Sequence, residues 1–119
     1  MNHKELDVWK KSMDFVTEIY NITKHFPNEE KFGLTDQIRR ASVSIPSNIA
    51  EGAARGTNKD FIRFLHIALG SATEVETQII ITMRLGYVDS VKQDDLLYEL
   101  NDIKKMLVGL IKYLKGKSV

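Results

Sequence analysis

Apolar residues recur at intervals of three and four along most of the chain. Leu6, Trp9, Met13, Val16, Tyr20 and Thr23 share one helical face, and Val8, Phe15, Ile19 and Ile22 form a second apolar stripe. The spacing predicts a first helix over about residues 3–25. It stops in FPNEEKFG, where Pro27 biases Phe26 away from helical geometry and Gly33 supplies a flexible joint. Phe61, Leu65, Ala68, Ala72, Val75, Ile79 and Met83 repeat the pattern over about residues 58–85, with Thr57 or Asn58 as N-cap and Gly86 at the end. Ser90 followed by Gln93 has the capping-box spacing. Leu96, Leu100, Ile103, Leu107, Leu110 and Leu114 then line a last helix over about 91–115, which Gly116 would close. No segment alternates with a period of two for long enough to argue a strand.

The stretch between the first and third of these patterns contains Pro46. A proline inside a helix removes one backbone bond and clashes with the preceding turn, at a cost of about 3 kcal/mol. A break there would let Asn48 cap a new helix with Glu51 as its partner. The phase argues otherwise, because Ile38, Ala41, Ile45, Ile49 and Ala53 stay within one arc across the proline. One helix over about 34–55, kinked in the Ser42–Pro46 turn, is therefore expected. Four helices with short connections predict an all-α domain over 1–119, an antiparallel up-down-up-down four-helix bundle.

The faces carry more apolar surface than a single bundle needs. Ile62, Leu69 and Ile80 lie on one flank of the third helix, with Ile67, Ile81 and Leu85 on the other. The excess points to an interface in a homo-oligomer; a broad core-facing arc is the simpler alternative. On the second helix, small residues promise close approach to Gly70, Ser71 and Ala72. Its polar face holds Arg40, Ser44, Ser47, Asn48, Glu51 and Arg55. That face is either a solvated surface with a Glu51–Arg55 pair or part of a polar network in which Asn48, Glu51, Glu74 and Glu76 join helices two and three.

Composition narrows the chemistry. The 119 residues contain no cysteine, which removes disulfides, thiolate nucleophiles and cysteine-built metal sites and suits a reducing compartment. MNHKELDVWKK is no signal peptide and no apolar run is long enough to span a bilayer, so a cytoplasmic location without membrane contact is expected. No Glu-x-x-His occurs, and His3, His25 and His66 read as surface residues, so no metal and no cofactor are expected. The serines of SVSIPS have no neighbouring histidine, and EGAARG follows no strand and lacks Gly-Lys-Ser/Thr. No catalytic residue and no small-molecule substrate are expected.

Net charge is only +1, so binding to a polyanion must rest on local clusters. Arg39, Arg40, Arg55, Lys59 and Arg63 form one, opposed within residues 37–63 by Glu51 and Asp60. Lys104, Lys105, Lys112, Lys115 and Lys117 form another near the C-terminus, which a solubilising face complementing the helix dipole would equally explain.

The run FGLTDQIRRASVSIPSNIAEGAARG, followed by FIRFLHIALGSATEVETQI and LGYV, resembles the four-helix-bundle proteins encoded in intervening sequences of bacterial 23S ribosomal RNA genes. The likeness extends from LDVWKKS to the final helix. It is strongest at Gln37, Ile38, Arg39, Arg40 and Ala41 and at Ser44, Ile45 and Asn48 to Gly52. The resemblance implies a four-helix bundle that assembles as a ring-like homopentamer. It also implies similarity in fold to the nucleic-acid-binding accessory protein of diversity-generating retroelements. Together these readings lead to a non-enzymatic oligomer that binds RNA or DNA through Arg39, Arg40, Arg55, Lys59 or Arg63. The alternative is a purely structural assembly whose arginines hold helices or protomers together.

Overall fold

A computed structural model of the chain describes residues 1–117. Among them are four α-helices, α1 (Asp7–Thr23), α2 (Leu34–Ala54), α3 (Asn58–Arg84) and α4 (Ser90–Lys117), with single 3-10 turns at His3–Glu5 and Asn28–Glu30 and no strand. The protein is an all-α four-helix bundle. Its 49 Å long axis is set by α3 and α4, since a helix of their length spans about 40 Å. No helix among the described residues is long and apolar enough to cross a membrane.

Local signals account for most boundaries. Leu6 is extended, which separates α1 from the 3-10 turn before it, so the first helix is shorter than its apolar spacing suggested. Thr57 Oγ1 accepts from the Asp60 N–H at 3.2 Å and caps α3. The cap of α4 is Asp89, not Ser90: its Oδ1 accepts from the Lys92 N–H at 2.8 Å, and Ser90 is already inside the helix. Gly56 and Gly86, at φ of 89° and 80°, make the turns that follow α2 and α3. Gly116 does not close α4, which continues to Lys117.

α2 runs unbroken through Pro46, as the phase of its apolar residues requires. Ile38, Ile45 and Ile49 are fully buried on one side of it, and Pro46 is buried beside them. The core closes around these residues with Phe15 and Ile19 of α1, Leu65 and Ile79 of α3, and Leu100, Ile103 and Leu107 of α4. In α1 the second apolar stripe is the one that faces inward. Val8, Phe15 and Ile19 are buried, whereas Met13 and Tyr20 of the longer stripe are exposed.

α2 and α3 approach closely at Gly52. A Cβ built on Gly52 would lie 2.7 Å from Phe64 Cβ and 3.0 Å from Phe61 Cδ1, so only glycine fits. Gly70, expected to provide that close approach from the α3 side, instead faces open space. Ser44 and Ser71 join the two helices through a 2.8 Å hydroxyl contact. Across the other side, Lys11 pairs with Asp102 at 3.3 Å and Glu18 pairs with Lys92, so contacts run down α4 as they run up α1.

Candidate nucleic-acid interface

The basic residues singled out by sequence fall into two groups near opposite ends of α2. Arg39 and Arg55 are sixteen residues apart, which on a helix is about 24 Å. At the far end, where α2 turns into α3, Arg55, Lys59 and Arg63 recur at intervals of four residues and are all exposed. The Arg55 and Arg63 guanidinium carbons lie 4.9 and 4.6 Å from the centroid of the same Phe64 ring. The ring gives both cations an apolar bed that limits their freedom without neutralising them. Arg55 also donates to Glu51 at 2.9 Å, with its side chain still about half exposed.

At the near end, Arg39 and Arg40 point to different surroundings. Arg40 is 80% exposed in its side chain and pairs with Asp36 one turn earlier on the same helix. Arg39 leans onto α1, where its Nε donates to Thr23 Oγ1 at 2.8 Å and its guanidinium lies 4.4 Å from the Tyr20 ring centroid. Thr23 Oγ1 in turn donates to the Ile19 carbonyl at 2.7 Å, which fixes the acceptor that holds Arg39. No carboxylate pairs with Arg39 among the described residues.

Of the polar residues placed between helices two and three, the structure brings together a different set. Asn48 Nδ2 donates to the carbonyl and hydroxyl of Ser44 at 2.8 and 2.9 Å, and Ser44 reaches Ser71. Glu51 is occupied by Arg55, Glu74 accepts from Gln78 at 3.1 Å, and Glu76 pairs with Lys104 of α4 at 3.6 Å. Asn48, Glu51, Glu74 and Glu76 thus belong to separate contacts. The side-chain hydrogen bond between α2 and α3 is the Ser44–Ser71 pair, whose short side chains suit the close approach of the two helices. Lys104 serves a bridge, while Lys105, Lys112 and Lys115 are exposed along α4.

Two groups titrate away from their ordinary values, both at helix junctions. Tyr87 donates to Glu30 Oε2 at 2.8 Å, which holds its phenol above the ordinary 10.0. Lys92 is held above 10.5, chiefly by its hydrogen bond to Glu18. Tyr87 ties the α3–α4 turn to the α1–α2 turn, Lys92 ties the start of α4 to α1, and neither is poised for proton transfer near neutrality. Among the described residues no group of three or more His, Asp or Glu side chains could hold a metal ion.

The family model described as 23S rRNA-intervening sequence protein matches residues 4–109. This chain belongs to that family. A crystal structure of a protein of unknown function from the S23 ribosomal protein family of Bacteroides thetaiotaomicron is similar throughout, with a TM-score of 0.83 and 33% identity. The match covers 94% of this chain and 99% of that one. No curated protein matches the chain. The matched range includes Gln37–Ala41 and Ser44–Gly52, whose residues supply the α2 core face, the serine bridge to α3 and the glycine beneath Phe64.

Sequence reasoning missed a third basic feature. Lys24 at the end of α1 and Lys31 in the following turn are carried by the chain reversal to the same cleft as Arg39. The only signal for this was the shared boundary region, and periodicity says nothing about where a turn carries its side chains.

Proposed function

We propose that this intervening-sequence protein is a non-enzymatic, self-associating bundle of the cytoplasm that binds RNA or DNA without sequence preference. The observation that carries the reading is the exposed Arg55, Lys59 and Arg63 group, two of whose cations share the Phe64 ring. Phosphates bound there would release condensed counterions, and the aromatic bed lowers the entropy lost when the arginines are immobilised.

Self-association is supported by apolar surface that the bundle leaves uncovered. Ile67, Ile81 and Leu85 of α3 are exposed and lie on one side of the helix. A separate groove between α1 and α2, floored by Trp9, Met13, Val16, Val43 and Pro46, is also apolar. Two different surfaces of this kind favour head-to-tail contacts, which close into a ring when the rotation permits. A homopentamer is the ring that family resemblance suggests, and it would repeat the basic group around its circumference.

A gel-shift titration with labelled RNA over a range of salt tests the binding. Expected is an affinity that falls steeply with salt, with a slope reduced by roughly one for each phosphate-contacting cation removed. Absence of binding at low salt overturns it and leaves a structural assembly as the function. The same apolar surfaces would serve that second reading.

A further inference from the structure

We propose that the cleft at the α1–α2 turn is a nucleotide site, taking a phosphate among Lys24, Lys31 and Arg39 and a base on the exposed ring of Phe32. The inference deepens the nucleic-acid reading and rests on it. The cleft holds about 170 Å³ and is lined by these three cations with Thr23, Asn28 and Thr35. Among the described residues five of the fourteen other cations are matched by carboxylates, in Lys11–Asp102, Arg40–Asp36, Arg55–Glu51, Lys92–Glu18 and Lys104–Glu76. Lys24, Lys31 and Arg39 have no such partner among the described residues. Of the acids in this region, Glu30 accepts from Tyr87 and from the Leu34 N–H, Asp36 holds Arg40, and Glu29 is exposed in the turn without lining the cleft. Three uncompensated cations around one small polar cleft define a place for an anion.

The cleft is also shaped before any ligand arrives. Arg39 is held by Thr23 Oγ1, the Tyr20 carbonyl and the Tyr20 ring. Its remaining N–H groups stay free to donate in a fork that suits a phosphate. Thr35 is 8% exposed, lines the cleft, and has no partner for its hydroxyl among the described residues. That hydroxyl is open to the cleft and available to donate to a phosphate oxygen. Thr35 stands in the first turn of α2, where the helix dipole adds to the attraction.

The aromatic half of the site is Phe32, 87% exposed and packed on nothing in the core. Lys31 joins the two halves, because it lines the cleft and its Nζ lies 5.5 Å from the Phe32 ring centroid. An exposed aromatic beside a phosphate-sized cationic cleft is the arrangement by which proteins hold unpaired nucleotides, with the base stacked and the backbone neutralised. A duplex keeps its bases stacked on each other and would use only the cations.

Fluorescence polarisation of the full-length protein with a labelled single-stranded 12-nucleotide RNA, and with the corresponding duplex, tests the site. Phe32→Ala should weaken single-strand binding about tenfold and leave the duplex unchanged. Lys24→Gln with Lys31→Gln should weaken both and reduce the salt slope. Competition with AMP and with inorganic phosphate identifies the source of the nucleotide: displacement by AMP at comparable concentration points to a free mononucleotide, and displacement only by unlabelled strand points to a nucleic-acid chain. Single-strand binding that survives Phe32→Ala and the lysine pair intact, while Arg55→Gln with Arg63→Gln abolishes it, overturns the cleft and leaves the wider reading standing. A wild-type protein that binds no strand at low salt overturns both. Phe32, Lys24 and Lys31 are exposed, so none of these substitutions threatens the fold.

Discussion

Gly52 lies directly beneath Phe64, with 2.7 Å between the Phe64 Cβ and the place a Cβ on residue 52 would occupy. The same phenylalanine carries Arg55 and Arg63 on its ring, so this close helix contact also positions the cations of the α2–α3 corner.

Gly52→Ala should therefore destabilise the protein by about 1–3 kcal/mol through overpacking. Gly70→Ala, at a helical position open to solvent, should raise stability by roughly 0.5–1 kcal/mol from helix propensity alone. Chemical denaturation of the two variants checks the opposite signs, and equal effects would contradict the packing described for Gly52.

The start of α4 distinguishes two neighbouring candidates for its cap. Asp89→Ala should cost about 1 kcal/mol, because it removes the acceptor for the Lys92 N–H. Ser90→Ala should change little. Thermal unfolding of the pair reads the difference.

Alkaline pH should loosen the helix junctions. Tyr87 and Lys92 both have folded pKa values above their ordinary 10.0 and 10.5, so the folded state holds their protons more tightly than the unfolded chain does. Their contributions are fully present below about pH 10 and are lost as pH rises through the raised values. Urea midpoints measured at pH 8 and pH 11 should fall further for the wild type than for Tyr87→Phe.

The exposed α3 stripe makes assembly separable from folding. Ile81→Lys with Leu85→Lys should shift the light-scattering mass toward the 13.6 kDa of one chain. Unfolding of the dissociated chain should retain its cooperativity, since neither side chain belongs to the core.

Much of the bundle is legible in the apolar periodicity. α3 and α4 each carry one continuous stripe, and Ile38, Ala41, Ile45 and Ile49 kept phase across Pro46 and so signalled a single α2. Periodicity failed in α1 because both stripes are apolar: Trp9, Met13 and Val16 line an outer groove, and only packing selects Val8, Phe15 and Ile19 for the core. Side-chain partners were less legible still. Asn48 turns back one helical turn to Ser44 instead of reaching Glu74 on α3, and the 3.6-residue period places both options on the same face without choosing between them. Lys24 and Lys31 escaped notice because a turn, which has no periodicity, brings them to Arg39.

The two cationic ends of α2 set a ruler. About 24 Å separates Arg39 from Arg55, and a stacked strand advances about 3.4 Å per nucleotide, so a chain must be roughly seven nucleotides long to touch both. Shorter oligonucleotides reach one end at a time, whichever holds them better. Plotted against length, affinity should rise to a plateau for one end and climb again once the strand spans the helix.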